Sequence, residues 1–194
     1  MKKFTGFTLI ETMVAITILS LAVVGPLFTA SRAITAAQGA RYELTASYLA
    51  QEGIEYVRAM RDNEYLAAYA AGGSISSNAW NNFLSGSDGS SITQCRTTTC
   101  TLDPVLAPAG MCTGPAGSGC SLQPCSGNSC TPLYLASGVY TQQNLSGSVK
   151  TVFTRTVQAV DVSANDKRIV STVAWSFHGI PYAVTVTDHL TPWQ

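Results

Sequence analysis

Twenty consecutive residues, Thr12 to Ser31, carry no charged side chain. At about 1.5 Å of helical rise per residue the run is roughly 30 Å long, the thickness of a bilayer's hydrocarbon core. A helix buried in a soluble core would keep a polar face, and this run has none. Lys2 and Lys3 stand in front of it, and the next basic residue is Arg32. Basic flanks stay on the cytoplasmic side, so the expectation is a single pass with the N-terminus in the cytoplasm and the remainder outside. A secretory signal peptide fits poorly: the leader is six residues, and no small-x-small cleavage site closes the run.

The rest of the chain divides by texture. Residues 1–6 form a short basic leader ending in Gly6, and residues 7–30 hold the apolar segment. Gly25 and Pro26 near its end predict a bend or a local melt, because proline removes one helical hydrogen bond. Residues 31–71 continue the helix in amphipathic form. Ala46, Leu49, Ala50, Gly53, Ile54, Val57 and Met60 recur at spacings of three and four, which predicts a core stripe. Glu52, Glu55, Arg58, Arg61 and Asp62 fall mostly off that stripe, with Glu55 and Arg58 spaced to pair along the helix. Gly72 and Gly73 predict its end, since glycine supplies a left-handed cap.

Residues 72–132 are rich in Gly, Ser, Thr, Asn and Pro and show little periodicity. Apolar burial alone is not expected to order them. All six cysteines lie there, Cys95, Cys100, Cys112, Cys120, Cys125 and Cys130. In an extracytoplasmic segment they read as up to three disulfides, with fifteen possible pairings. A zinc site is disfavoured, because no Cys-x-x-Cys pair occurs and neither histidine is near. Residues 133–194 read as an antiparallel β domain. From Val149 to Val162, Phe153, Arg155, Val157 and Ala159 share one side, opposite Val152, Thr154, Thr156, Gln158 and Val160. A turn at Ser163–Asp166, a strand from Arg168 to Phe177, a turn at His178-Gly179 and a third alternating run complete a meander. A helix stripe and a one-sided sheet cover each other, giving an α+β fold.

Composition narrows the function. Net charge is zero and only 11% of residues are charged, so no basic excess points to nucleic acid. No nucleophile elbow, phosphate-binding glycine loop or metal-binding helix motif accompanies His178 and His189, which read as solvated or edge-strand residues. Asp161, Asp166 and Asp188 offer a weak calcium cluster at one sheet end. The expectation is a protein without enzymatic activity, cofactor or resident metal.

The start is the specific signal. Gly6-Phe7-Thr8-Leu9-Ile10-Glu11, behind Lys2 and Lys3 and directly before the apolar helix, resembles the type IV pilin and pseudopilin family. That resemblance implies cleavage between Gly6 and Phe7 by a prepilin peptidase, and methylation of the new Phe7 amine. It implies that Glu11 pairs with the amine of an adjoining subunit and sets register during assembly. Its partners would be membrane lipid before assembly, the inner-membrane pilus assembly machinery, and other pilin subunits through the helix. The chain would end in an extracellular pilus or a periplasmic pseudopilus. The chemistry is consistent with this: glycine lets the backbone enter a narrow protease site, and a lone carboxylate in lipid needs a cation that cleavage creates. Ala50-Gln51-Glu52-Gly53-Ile54-Glu55, with the terminal Trp193, resembles minor pilins grouped with the type IV pilus modification proteins. A type II secretion pseudopilin, a major pilin and a membrane-anchored adhesin are the rival expectations.

Overall fold

The structure is a computed structural model and describes residues 6, 8–72, 75–85, 92–105, 122–126 and 130–192. The chain divides into two units, Met1–Tyr42 and Glu43–Gln194. The helix α1, Leu9–Ala70, runs through both.

Within the first unit every described residue from Thr8 to Gln38 is exposed. The helix passes Gly25 and Pro26 unbroken, so the expected local melt is not present. Proline removes a single rung of the hydrogen-bond ladder, and the neighbouring rungs hold the turn.

Within the second unit α1 buries the stripe that its spacing predicts: Ala46, Leu49, Ala50, Gly53, Ile54, Val57 and Met60, with Tyr65 added. The helix ends where Gly72 takes φ +69° and donates to the Tyr69 carbonyl at 3.1 Å. Gly73 lies outside the described residues.

The stripe packs on an antiparallel sheet. Its strands are β1 (Cys100–Leu102), β2 (Leu122–Pro124), β6 (Thr154–Ser163), β7 (Asp166–Phe177) and β8 (Ile180–Leu190), in the order β2-β1-β6-β7-β8. The strands β6, β7 and β8 are the meander anticipated from alternation. Phe153, Arg155, Val157 and Ala159 are buried, whereas Thr154, Thr156, Gln158 and Val160 are only partly so. His178 and Gly179 take φ 51° and 79°, the two left-handed positions of a tight hairpin turn.

Two expectations need correcting. The strand expected from Val149 is interrupted: β5 (Val149–Lys150) pairs with β3 (Tyr134–Ala136), which also pairs with β4 (Val139–Thr141) in a separate three-stranded sheet. The change of partner comes at Thr151–Phe153, where Thr151 donates to the Leu133 carbonyl at 2.9 Å and Leu133 donates to that of Phe153 at 2.8 Å.

The insertion also does more than hang from cysteines. It forms α2 (Ile75–Ser85) and α3 (Gln94–Thr97), and it supplies β1 and β2. Trp80, Phe83, Ile92, Leu102 and Leu122 join Ile54, Val57, Met60, Val157, Ile169 and Leu190 in one core. Apolar residues are sparse in this stretch, but each of these is spent on the shared core rather than on one of its own.

Candidate assembly and anchoring site

Thr8 opens the helix. The Glu11 backbone N–H donates to the Thr8 carbonyl at 3.1 Å and lies 3.4 Å from the Thr8 hydroxyl, and Thr12 N–H donates to the same carbonyl at 3.2 Å. Thr8-Leu9-Ile10-Glu11 thus has the spacing of a capping box, with the threonine at the cap and the glutamate three residues on. An acid in the first turn also suits the positive end of the helix dipole. The Glu11 side chain is exposed, and among the described residues it has no ion-pair partner.

Behind Glu11 the helix is apolar on all sides. Leu9, Ile10, Met13, Ile16, Leu19, Leu21, Val24 and Leu27 are all more than 60% exposed, too much apolar surface to leave in water. An eighteen-residue window reaches a mean hydropathy of 2.2 with none of it buried, sufficient by length and composition to cross a membrane. Its few hydroxyls are turned inward on the backbone. Thr12 donates to Leu9 O, Thr17 to Val14 O and Ser20 to Ile16 O, each at 2.8 Å. Thr29 donates to Pro26 O at 2.9 Å and to Gly25 O at 3.2 Å. Hydroxyls satisfied this way can face hydrocarbon at little cost.

Residues 1–25 match the family model described as the prokaryotic N-terminal methylation motif. The chain carries a type IV pilin-like prepilin motif. No curated protein and no solved structure matches the chain. That motif supports a pilin- or pseudopilin-like substrate of a prepilin peptidase, and with the apolar helix it supports membrane anchoring by the N-terminus. Of its residues, Gly6, Thr8 and Glu11 are described, while Lys2, Lys3 and Phe7 lie outside the described residues.

The other residues singled out by sequence are distributed through the second unit. Cys95 is bonded to Cys100 and Cys125 to Cys130, each pair five residues apart. Cys112, Cys120 and Trp193 lie outside the described residues. The three aspartates do not gather. Arg96 and Lys167 hold Asp161 at 2.6 and 3.2 Å, His189 lies 2.9 Å from Asp166, and Arg58 lies 2.7 Å from Asp188. Hydrogen bonding from Arg96, helped by Lys167, holds the Asp161 carboxyl below its ordinary pKa. The Asp188 hydrogen bond, with Glu55 adding to it, raises the Arg58 guanidinium. Glu55 and Arg58 pair at 2.7 Å, as their spacing predicts.

Arg155 is the residue that alternation placed but did not explain. Its side chain is fully buried. It donates to the Leu49 carbonyl at 3.2 Å, to the Leu102 carbonyl at 2.9 Å and to the Glu52 carboxylate. One cation thereby ties the helix, the insertion and the sheet. Desolvation lowers its pKa, and Glu52 opposes that shift. The available signal was an arginine in phase with Phe153, Val157 and Ala159, a position that requires a buried partner. Beside it, buried Asp103 accepts from the Thr141 hydroxyl at 2.8 Å and from the Gln142 N–H at 3.1 Å, joining β1 to the loop after β4.

Proposed function

We propose that this chain is a minor type IV pilin, processed between Gly6 and Phe7, methylated at Phe7 and joined to other pilins through its helix. Glu11 acts as the assembly residue, the one acid on the apolar surface, whose partner is the amine that cleavage creates on a neighbouring subunit. Lys2 and Lys3 hold the leader in the cytoplasm until the peptidase acts. The observation that carries this reading is the methylation motif, matched over residues 1–25, running directly into an exposed uncharged helix.

Minor status is supported by what residues 72–132 add. Among the described residues, two helices, the adjoining strands β1 and β2 and two disulfides are built onto the helix and sheet. A subunit repeated at every position of a filament must pack that bulk against copies of itself; one inserted rarely need not. The test is N-terminal sequencing and abundance measurement on sheared surface filaments. N-methylphenylalanine corresponding to Phe7, in a scarce component, is the expected result. Dominance of the filament mass would assign a major pilin instead, and retention in a periplasmic fibre would assign a secretion pseudopilin.

A further inference from the structure

Arg32 is the first charged residue after the apolar run, and its guanidinium carbon lies 4.5 Å from the centroid of the Phe28 ring. Phe28 is one helical turn nearer the N-terminus, so the cation is folded back toward the apolar segment, the direction in which helical side chains lean. Stacking covers one face of the guanidinium and leaves its N–H fork open at the edges. Phe28 itself is 58% exposed, so the pair sits on the outer surface of the helix.

Among the described residues this cation has no counter-ion. No Asp or Glu occurs between Glu11 and Glu43, so the nearest carboxylates in the sequence are at least three helical turns away. No described group accepts a hydrogen bond from Arg32, and the neighbouring hydroxyls are occupied, with Thr29 bonded to Gly25 O and Pro26 O and Thr35 to Ser31 O. A charge at the margin of a hydrocarbon layer needs an anion there. We infer that Arg32, carried on Phe28, binds a lipid phosphate at the outer boundary of the membrane segment and fixes the depth of the subunit before assembly. A phosphodiester offers two oxygens to the planar fork, the match that favours Arg over Lys. The position agrees, since Arg32 follows directly on a run roughly 30 Å long that fills the hydrocarbon core.

The inference rests on membrane insertion of the helix, and the experiment separates the two. The full chain, labelled with 13C at the guanidinium carbon of arginine, is reconstituted in phosphatidylglycerol–phosphatidylcholine vesicles. Flotation reports insertion, and 13C–31P dipolar dephasing reports phosphate contact. Of the seven arginines, about one-seventh of the signal should dephase. That fraction should vanish in Arg32→Lys, shrink in Phe28→Leu and persist in Arg41→Lys. In galactolipid vesicles containing inorganic phosphate it should be lost, and equal dephasing there would show a free-anion site and overturn the lipid assignment. Flotation without dephasing, or dephasing unchanged in Arg32→Lys, would sink the inference while leaving insertion standing. A chain that does not float would remove both.

Discussion

Gly53 of α1 faces Ser171 of β7 so closely that a Cβ on the glycine would lie 2.4 Å from the serine hydroxyl oxygen and 3.3 Å from its Cβ. The helix reaches the sheet at this point because one side chain is missing and the other is small. Gly53→Ala sets two effects against each other. Alanine gains about 1 kcal/mol of helix propensity, whereas forcing a methyl into a closed contact costs about 1–3 kcal/mol. The expected outcome is net destabilisation, seen as a lowered Tm. Among the described residues the Ser171 hydroxyl has no hydrogen-bond partner, so Ser171→Ala alone should be near neutral. Gly53→Ala with Ser171→Gly should recover most of the loss, and a double-mutant cycle without coupling would refute the contact.

The Arg155–Glu52 pair predicts asymmetric mutants. Arg155 is fully buried, while the Glu52 side chain is 42% exposed. Glu52→Gln leaves a buried cation hydrogen-bonded to carbonyls, with only the Asp103 carboxylate nearby, and should cost roughly 1–3 kcal/mol, moderated because water still reaches position 52. Arg155→Met removes the charge along with its need for a partner and should cost less than Arg155→Ala, which opens a cavity. Urea unfolding of the fragment 43–194 gives these differences, provided that fragment first shows a cooperative transition.

The described disulfides differ in access. Cys95 and Cys100 are 1% and 0% exposed and sit in the core with Trp80, Phe83 and Leu102, whereas Cys125 and Cys130 are only half-buried. Thiolate attack needs contact with sulfur, so mild reductant under native conditions should open Cys125–Cys130 first. Alkylation followed by peptide mass mapping reads the order. For loops this short each bridge stabilises by about 2 kcal/mol, so loss of the first should leave the fold intact. Simultaneous reduction of both would contradict the burial argument.

Asp161 makes a pH prediction with a definite sign. Its carboxyl is held below its ordinary value by Arg96 and Lys167, so folding favours its charged form. The stability it adds is present above the unfolded pKa of about 3.9 and is lost as pH falls through the lower folded value. Half of the side chain is exposed, which keeps the effect small. Asp161→Asn should lower stability slightly across the neutral region and converge on the unsubstituted protein in acid, so the acid limb of a stability-versus-pH curve below about pH 4 becomes flatter. An unaltered acid limb would mean that the ion pairs contribute nothing.

Period-based features were legible in the sequence and partner-based ones were not. The buried stripe from Ala46 to Met60 follows from spacing, because one helix face meets one sheet face wherever that sheet comes from. The inward set Phe153, Arg155, Val157 and Ala159 follows from alternation in the same way. The small sheet was invisible because Val149 and Lys150 continue the β-branched pattern while changing partner, and no residue type announces that choice. Helix α2 was hidden because Ala79, Trp80 and Phe83 mark only one face of an eleven-residue helix rich in Asn and Ser. The prepilin motif was fully legible, since its chemistry is local and needs no tertiary partner.

Glu11 carries the last prediction. It lies in the first turn, where the spacing from Thr8 serves the helix start and, under the proposed processing, would present a carboxylate near the new terminus. Glu11→Ala removes the anion, and the higher helix propensity of alanine offsets most of what the first turn loses in capping and dipole interactions. Cleavage after Gly6 should therefore proceed, while recovery in sheared filaments should fall at least tenfold. Thr8→Ala should act differently, costing about 1 kcal/mol of capping and only slightly lowering recovery. Immunoblots of membrane and sheared fractions separate precursor, mature membrane pool and filament pool. If Glu11→Ala accumulates instead as uncleaved precursor, the glutamate serves the peptidase, and the register role passes to the apolar surface alone.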